Sequence, residues 1–308
     1  MIIPDIERYR INDIIVNVVR EDMVSAFPGP NNAKVRGIES KIIKLKEQGI
    51  KSVASQDTRI SRIGWGISWL CKKYDLKHYN YYPMATQDKL PFYQQMSQYW
   101  GGKPIPLHGT FSSAFRSLCE QHMKKNDINA YFFPIGASLD ETLIELSSLV
   151  SQLPSDIFEG TIVTNVSSGT ICAGLTYGCE QNNLKTDIVG VLGSSFENRH
   201  EKILKKIHTV TNKKCDYPNL KITNPGYEYT QPEYYIPPFP CDLYLDRKAW
   251  KWLVDNIDTL KQPITFWNIG GEWNPMDGLD QKVKGDGMAT RSDVYKCIKT
   301  VGELNDKN

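Results

Sequence analysis

Residues 160–175, GTIVTNVSSGTICAGL, change both period and chemistry within one run. Thr161 to Val166 is short, β-branched and apolar, the pattern of a buried strand in a parallel sheet. Ser167, Ser168, Gly169 and Thr170 are then small, hydroxyl-bearing or flexible, and a small-residue helix is predicted over 171–178. A strand that turns into a helix leaves unpaired backbone N–H groups and the positive end of a helix dipole at one point. Hydroxyls beside that point suit an anion, and a phosphate above others. A plain turn with a serine N-cap accounts for the same residues equally well. The run is neither a Walker loop, since no Lys follows Gly-Thr, nor a GxGxxG fingerprint. A second residue able to do chemistry, Lys34, stands just before a helix predicted over 35–48. Taken alone it is one of 37 Lys and Arg residues and reads as a solvated lysine.

These residues need a scaffold. With 308 residues the chain is long enough for one large α/β domain or two lobes. Hydrophobic content of 40% against 23% charged is that of a globular protein in water, and a net charge of +2 is too small to argue nucleic-acid or membrane binding in bulk. Seven scattered cysteines with no CxxC pair suggest neither a disulfide framework nor a metal site, so a reducing, cytoplasmic setting is expected. No window has the length of an apolar membrane span, and the N-terminus lacks a signal layout.

Strands are predicted over 11–19, 51–55, 78–83, 130–134, 161–166, 187–192 and 264–269. Helices are predicted over 35–48, 61–74, 90–100, 111–124, 140–153, 171–178, 197–211, 245–257 and 292–304. Ser138 with Glu141 reads as a capping box for the helix over 140–153. Residues 101–110 and 213–241 read as loops, the second long and rich in Pro and Tyr. The alternation means βαβ units and parallel sheets with helices on both faces. Ligands of such folds sit beyond the carboxyl ends of the strands, so the loops over 31–34, 55–62, 165–170 and 267–273 are expected to share a pocket.

A phosphate cradle and a lysine at the start of another helix suit pyridoxal phosphate: the phosphate anchors it, and the amine forms a Schiff base with its aldehyde. Six segments in order resemble the tryptophan-synthase-β fold (fold type II) of pyridoxal-phosphate enzymes, most of all the aminocyclopropane-carboxylate deaminase and D-cysteine desulfhydrase family. NNAKVRGIESKI resembles the family's GNK-x-RK-L-E, which gives Lys34 the Schiff-base role. SQDTRISRIGWG lies where the family has G-G-x-x-SN and aligns Ser61 with the serine that faces the substrate. YFFPIGAS resembles P-x-G-x-S, and NVSSGTICAGL resembles G-S-G-G-T-x-AGL, giving Ser167, Ser168, Gly169 and Thr170 phosphate contacts. CDLYLDRKAWKWL resembles LDPVY-x-x-K-A-x-x-x-L and aligns Tyr244 with a tyrosine poised over the substrate. FWNIGGEW resembles the strand ending in HTGG, which places Asn268 and Gly270 beside the cofactor.

The resemblance implies two lobes around a cofactor cleft, a large domain of residues 1–50 and 155–308, a small one of 51–154, and a homodimer. Departures are as telling. The family's asparagine after the serine is Arg62 here, a guanidinium that would hold a phenolate or carboxylate of cofactor or substrate. The HTGG threonine is Ile269, so no partner for the ring nitrogen is legible, and Tyr227 matches the family's second tyrosine only loosely. Thr58, Arg59, Ser61 and Tyr227 are the expected substrate contacts, and Lys34, Ser61 and Tyr244 the catalytic set. Three functions follow: a lyase or deaminase breaking a bond at the α-carbon of a small amino acid; a decarboxylase of an amino acid attached to a nucleobase in phage DNA; or a binding protein that kept the fold. The aromatic and partly basic segments over 72–82 and 227–235 are what suit the second.

Overall fold

The structure is a computed structural model that describes residues 2–25, 29–58, 60–83, 92–109, 113–195, 197–213 and 216–271. In chain order the elements are β1 (Ile6–Ile11), β2 (Ile14–Arg20), α1 (Val35–Glu47), β3 (Ser52–Gln56), α2 (Ile63–Tyr74), β4 (Lys77–Pro83), α3 (Phe92–Tyr99) and β5 (Lys103–Leu107). There follow α4 (Ser113–Lys125), β6 (Tyr131–Phe132), α5 (Asp140–Val150), β7 (Thr161–Val166), α6 (Thr170–Gln181), β8 (Asp187–Leu192), α7 (Arg199–Thr211), β9 (Leu220–Thr223), α8 (Asp246–Asn256) and β10 (Ile264–Asn268). They fall into two compact units: the described residues among 1–26, 31–37 and 138–272, and those among 27–30 and 38–137. The helix predicted over 292–304, Trp273 and Arg59 lie outside the described residues.

The first unit is built on a six-stranded sheet of order β1-β2-β10-β7-β8-β9. Every neighbour pair is parallel except β1 and β2, an antiparallel hairpin closed at Ile11 and Ile14. This antiparallel edge strand was not expected, because Asn12 takes φ 52 in a two-residue turn that the alternating run over 11–19 hides. One face is covered by α5, α6 and α7, whose Leu143, Leu146, Ile171, Leu175, Ile203 and Ile207 are buried with Ile162 and Val166 of β7. The small residues of α6 let α5 approach: a Cβ on Gly174 would lie 2.7 Å from Leu146 Cβ. On the other face Trp250 and Leu253 of α8 pack with Val163 and Phe266, the Trp250 ring edge-on to Phe266 at 5.2 Å. β9 runs through part of the segment expected to be a long loop, because four edge residues give too short a period to stand out among Pro and Tyr.

The second unit holds an all-parallel four-stranded sheet of order β5-β4-β3-β6. β5 contains Pro104 and Pro106 and was expected to be loop; an edge strand tolerates prolines because their missing N–H groups leave no ladder bond unmade. Its core includes Tyr81, Phe115 and Cys119, and Trp65 of α2 is buried beside Tyr93. Among the described residues no helix is long and apolar enough to cross a membrane.

Candidate functional site

Lys34 is held by the strand end beside it. Ala33 N–H donates to the Ile269 carbonyl at 2.8 Å, and Asn32 bridges to Gly270, so the segment before α1 is stitched to the end of β10. The Asn32 side chain accepts the Lys34 N–H at 2.9 Å, which turns the chain into the helix. Arg36, buried, donates to Glu21 at 2.8 Å and pins the first turn to the end of β2. Burial pushes Glu21 up to about 6 in spite of that guanidinium.

From this anchorage the Lys34 ammonium reaches Ser168 Oγ at 3.3 Å. Ser168 is in the turn between β7 and α6, where the strand supplies buried β-branched residues and Gly169 takes φ 81 so that the chain can enter the helix. Thr170 opens α6, its Oγ1 3.1 Å from Ser168 Oγ and 3.0 Å from Ser138 Oγ, and Lys206 of α7 donates to Ser138 Oγ. A relay of hydroxyls thus runs from Lys34 to Lys206 across a helix N-terminus. Ser138 was expected to cap α5, but that helix starts after Leu139 with no side-chain cap; the hydroxyl turns to Thr170 instead.

The electrostatics of this cradle are those of cations drawn out of water. Burial pushes the Lys34 amine down to about 8, with Lys206 and Arg199 adding to the fall and Asp246 opposing it. Lys206 is pushed down by burial and by Arg199, against Asp140, and burial also lowers Arg199. Three cations and two carboxylates therefore act on one another around the end of α6. An anion placed there is welcomed by charge, dipole and hydroxyl together.

Asp246, buried at the first position of α8, accepts the Gly270 N–H at 3.0 Å. Asn268 is fully buried and its amide donates to Asp22 at 2.9 Å and to the Pro240 carbonyl at 2.8 Å. Tyr244 is buried just before α8, its N–H donating to Asp242 at 3.0 Å. Tyr227 donates its hydroxyl to the Lys248 carbonyl at 3.3 Å, beside α8. Ser138, Arg199, Lys206 and Asp246 are the members of the cradle that were not expected. The signal for two of them was legible: Arg199, Ile203 and Lys206 recur at helical spacing on one face of α7.

In the second unit, Thr58, Ser61 and Arg62 come together where β3 gives way to α2. Ser61 Oγ accepts the Ile63 N–H at 3.2 Å, and Arg62 donates to Tyr93 Oη at 3.0 Å while lying 5.0 Å from the centre of that ring. Asp57 is buried there, Oδ2 accepting the Gly64 N–H at 2.9 Å, and burial pushes its carboxyl up to about 7 against the bonds from Ser61, Gly64 and Asn80.

The residues of the first unit fit a phosphorylated aldehyde. Hydroxyls, N–H groups, cations and an amine of lowered proton affinity meet at the head of α6.

Comparison with known proteins agrees with this geometry. No family model matches the chain. A glycyl-dTMP PLP-dependent decarboxylase of Pseudomonas phage M6 is 27% identical over 274 residues, which span 86% of this chain and 97% of that protein. Among solved structures, an ACC deaminase homologue superposes with a TM-score of 0.76 at 18% identity, over 92% of this chain and 93% of the other. Threonine deaminase isoform 2 of Solanum lycopersicum gives 0.62 at 14% identity over 93% and 84%. Serine racemase of Dictyostelium discoideum gives 0.60 at 13% over 88% and 93%. The fold is that of the fold type II pyridoxal-phosphate enzymes.

Proposed function

We propose that this chain, with the fold of the type II pyridoxal-phosphate enzymes, is a pyridoxal-phosphate enzyme that decarboxylates an amino acid attached to a nucleobase. The observation that carries the cofactor is the Lys34 amine 3.3 Å from Ser168 in the turn at the head of α6. Support for the reaction and its substrate is the relative named a glycyl-dTMP decarboxylase, matched over 97% of its length.

When bound, pyridoxal phosphate supplies an aldehyde for Lys34 and a protonated ring that stores the electron pair left by a broken bond. Ser167, Ser168, Gly169 and Thr170 hold its phosphate with hydroxyls and N–H groups. Lys34, with its proton affinity lowered to about 8, has a neutral fraction at neutral pH able to attack a carbonyl. Asp246, the carboxylate that acts on Lys34, is the group we assign to the ring nitrogen, since the Ile269 side chain offers no hydrogen bond. Lys34, released from the cofactor as an ammonium, would deliver the proton that takes the place on the α-carbon of the carboxylate lost as carbon dioxide. The product is the corresponding amine. The roles that the resemblance gives to Ser61, Arg62 and Tyr244 enter this proposal as residues to be tested by substitution.

The test is product analysis with the full chain and the cofactor. A thymidine monophosphate bearing a glycyl group should yield carbon dioxide and the base-linked amine. Release of ammonia and a keto acid from small free amino acids, with the nucleotide untouched, would replace this reading by a deaminase. A protein that takes up no cofactor would leave only a binding role.

A further inference from the structure

We infer that Arg199 and Lys206 of α7 form a charged wall of the phosphate cradle, and that the phosphate of the cofactor is held by these two cations as well as by the turn. The inference rests on the reading of the cradle as a pyridoxal-phosphate site and adds residues to it.

Four observations carry it. Along α7, Arg199, Ile203, Lys206 and Ile207 share one face; Ile203 and Ile207 are buried, Arg199 and Lys206 half-buried, while Lys202, Lys205 and His208 are exposed. That face lies against the turn itself. A Cβ on Gly169 would stand 2.7 Å from Ile203 Cγ1 and 3.7 Å from Arg199 Cδ, so only a residue without a side chain lets α7 come so close. Lys206 donates to Ser138, whose hydroxyl stands 3.0 Å from that of Thr170 at the head of α6. Finally, Lys34 before α1 acts on both Lys206 and Arg199, and Asp140 on α5 acts on Lys206. Burial lowers the proton affinity of all three cations.

Desolvated cations gathered at a helix N-terminus favour an anion, and a dianion with several acceptor oxygens can accept from all of them. A carboxylate would satisfy fewer donors. The hydroxyl relay ends on Lys34, which places this wall and the aldehyde-binding amine on the same small ligand. A mere ion pair between Lys206 and Asp140 would stabilise the fold without preferring any ligand.

Titration calorimetry on the purified, cofactor-free full chain separates these roles, with inorganic phosphate, pyridoxal phosphate and pyridoxal as the probes. Lys206→Met and Arg199→Met should each weaken inorganic phosphate and pyridoxal phosphate by roughly ten-fold or more, the scale of a lost charge-assisted bond. Pyridoxal, which lacks the phosphate, should change less than about two-fold, and Lys206→Arg should restore most of the loss. The inference fails if pyridoxal and pyridoxal phosphate weaken together, or if inorganic phosphate is bound as well by the variants as by the parent. It fails equally if only thymidine monophosphate is weakened, for the wall would then belong to the substrate. Lys206→Gln serves where the Met variant unfolds. Should Lys34 form no adduct with the aldehyde, the phosphate titration still decides the wall, so the two readings fall separately.

Discussion

Two turns in this chain have the same outline, a parallel strand that ends and a helix that begins, and they treat the helix N-terminus in opposite ways. Between β3 and α2 the chain supplies its own anion. Asp57 and Ser61 take the N–H groups of Gly64 and Ile63, and the carboxylate is buried with them. Between β7 and α6 the residue before the helix is Gly169, which has no side chain to offer, and a neutral hydroxyl, Ser168 Oγ, takes the Thr170 N–H at 3.4 Å. Three cations, Lys34, Arg199 and Lys206, gather there against the two carboxylates of Asp140 and Asp246. Strand, turn and helix alone therefore do not make an anion site. The local inventory of charge decides whether the end of the helix is already filled or kept for a ligand.

The comparison breaks most sharply at Lys34. Lys34→Ala should abolish the covalent cofactor, read as loss of both the mass increment and the visible absorbance of lysine-bound pyridoxal phosphate. Asp57→Asn should leave that adduct in place. Retention of the adduct in the Lys34 variant would move the chemistry to another amine.

At the self-filled turn the expected effect is on stability. The Asp57 carboxyl is raised to about 7 in the folded chain, so between about pH 4 and that value the folded state keeps a proton that the unfolded state releases. Stability from this group is complete below the unfolded value and is lost as pH rises through the folded one. Asp57→Asn removes that loss, an effect on the order of a few kcal/mol between pH 4 and 8. Glu21 and His78 remain in both proteins and cancel in the difference. Urea unfolding of parent and variant at both pH values measures it, and parallel slopes would show that the carboxylate is not strained by burial.

The two glycines sharpen the contrast. A Cβ on Gly64 would lie 2.3 Å from Asp57 Oδ2, whereas Gly169 combines φ 81 with the contact to Ile203. Either alanine should cost about 1–3 kcal/mol in stability. Only Gly169→Ala should also weaken inorganic phosphate, seen by calorimetry at a temperature where both variants are folded.

Much of this was legible beforehand. The turn over 167–170 was written in residue types, small hydroxyl residues between a β-branched strand and a small-residue helix, whereas Lys34 stood out from the other lysines only through the resemblance. β1, β5 and β9 were not, since a tight hairpin, a proline-bearing edge strand and a four-residue strand carry little periodic signal. Arg199 and Lys206 were visible as a basic helix, but only packing against Gly169 says which face they turn to the cradle. The tyrosine alignment shows the limit of motif matching. The motif sets its lysine three residues after its tyrosine, whereas Lys248 is four after Tyr244, so Leu245 takes the matching register. Its side chain lies near Gly193, where it has no hydroxyl to offer.

Ser138 tests the finest distinction, because sequence and structure give its hydroxyl different partners. A capping serine lost to alanine costs about 1 kcal/mol of helix stability and leaves ligand affinity alone. A serine between Lys206 and Thr170 should do the reverse: little change in thermal midpoint, and inorganic phosphate weakened by roughly three- to ten-fold, the scale of one neutral hydrogen bond. Ser138→Thr, which keeps the hydroxyl, should hold the affinity near that of the parent. A stability loss without an affinity loss would return Ser138 to α5 and remove one link between the cations of α7 and the turn they face.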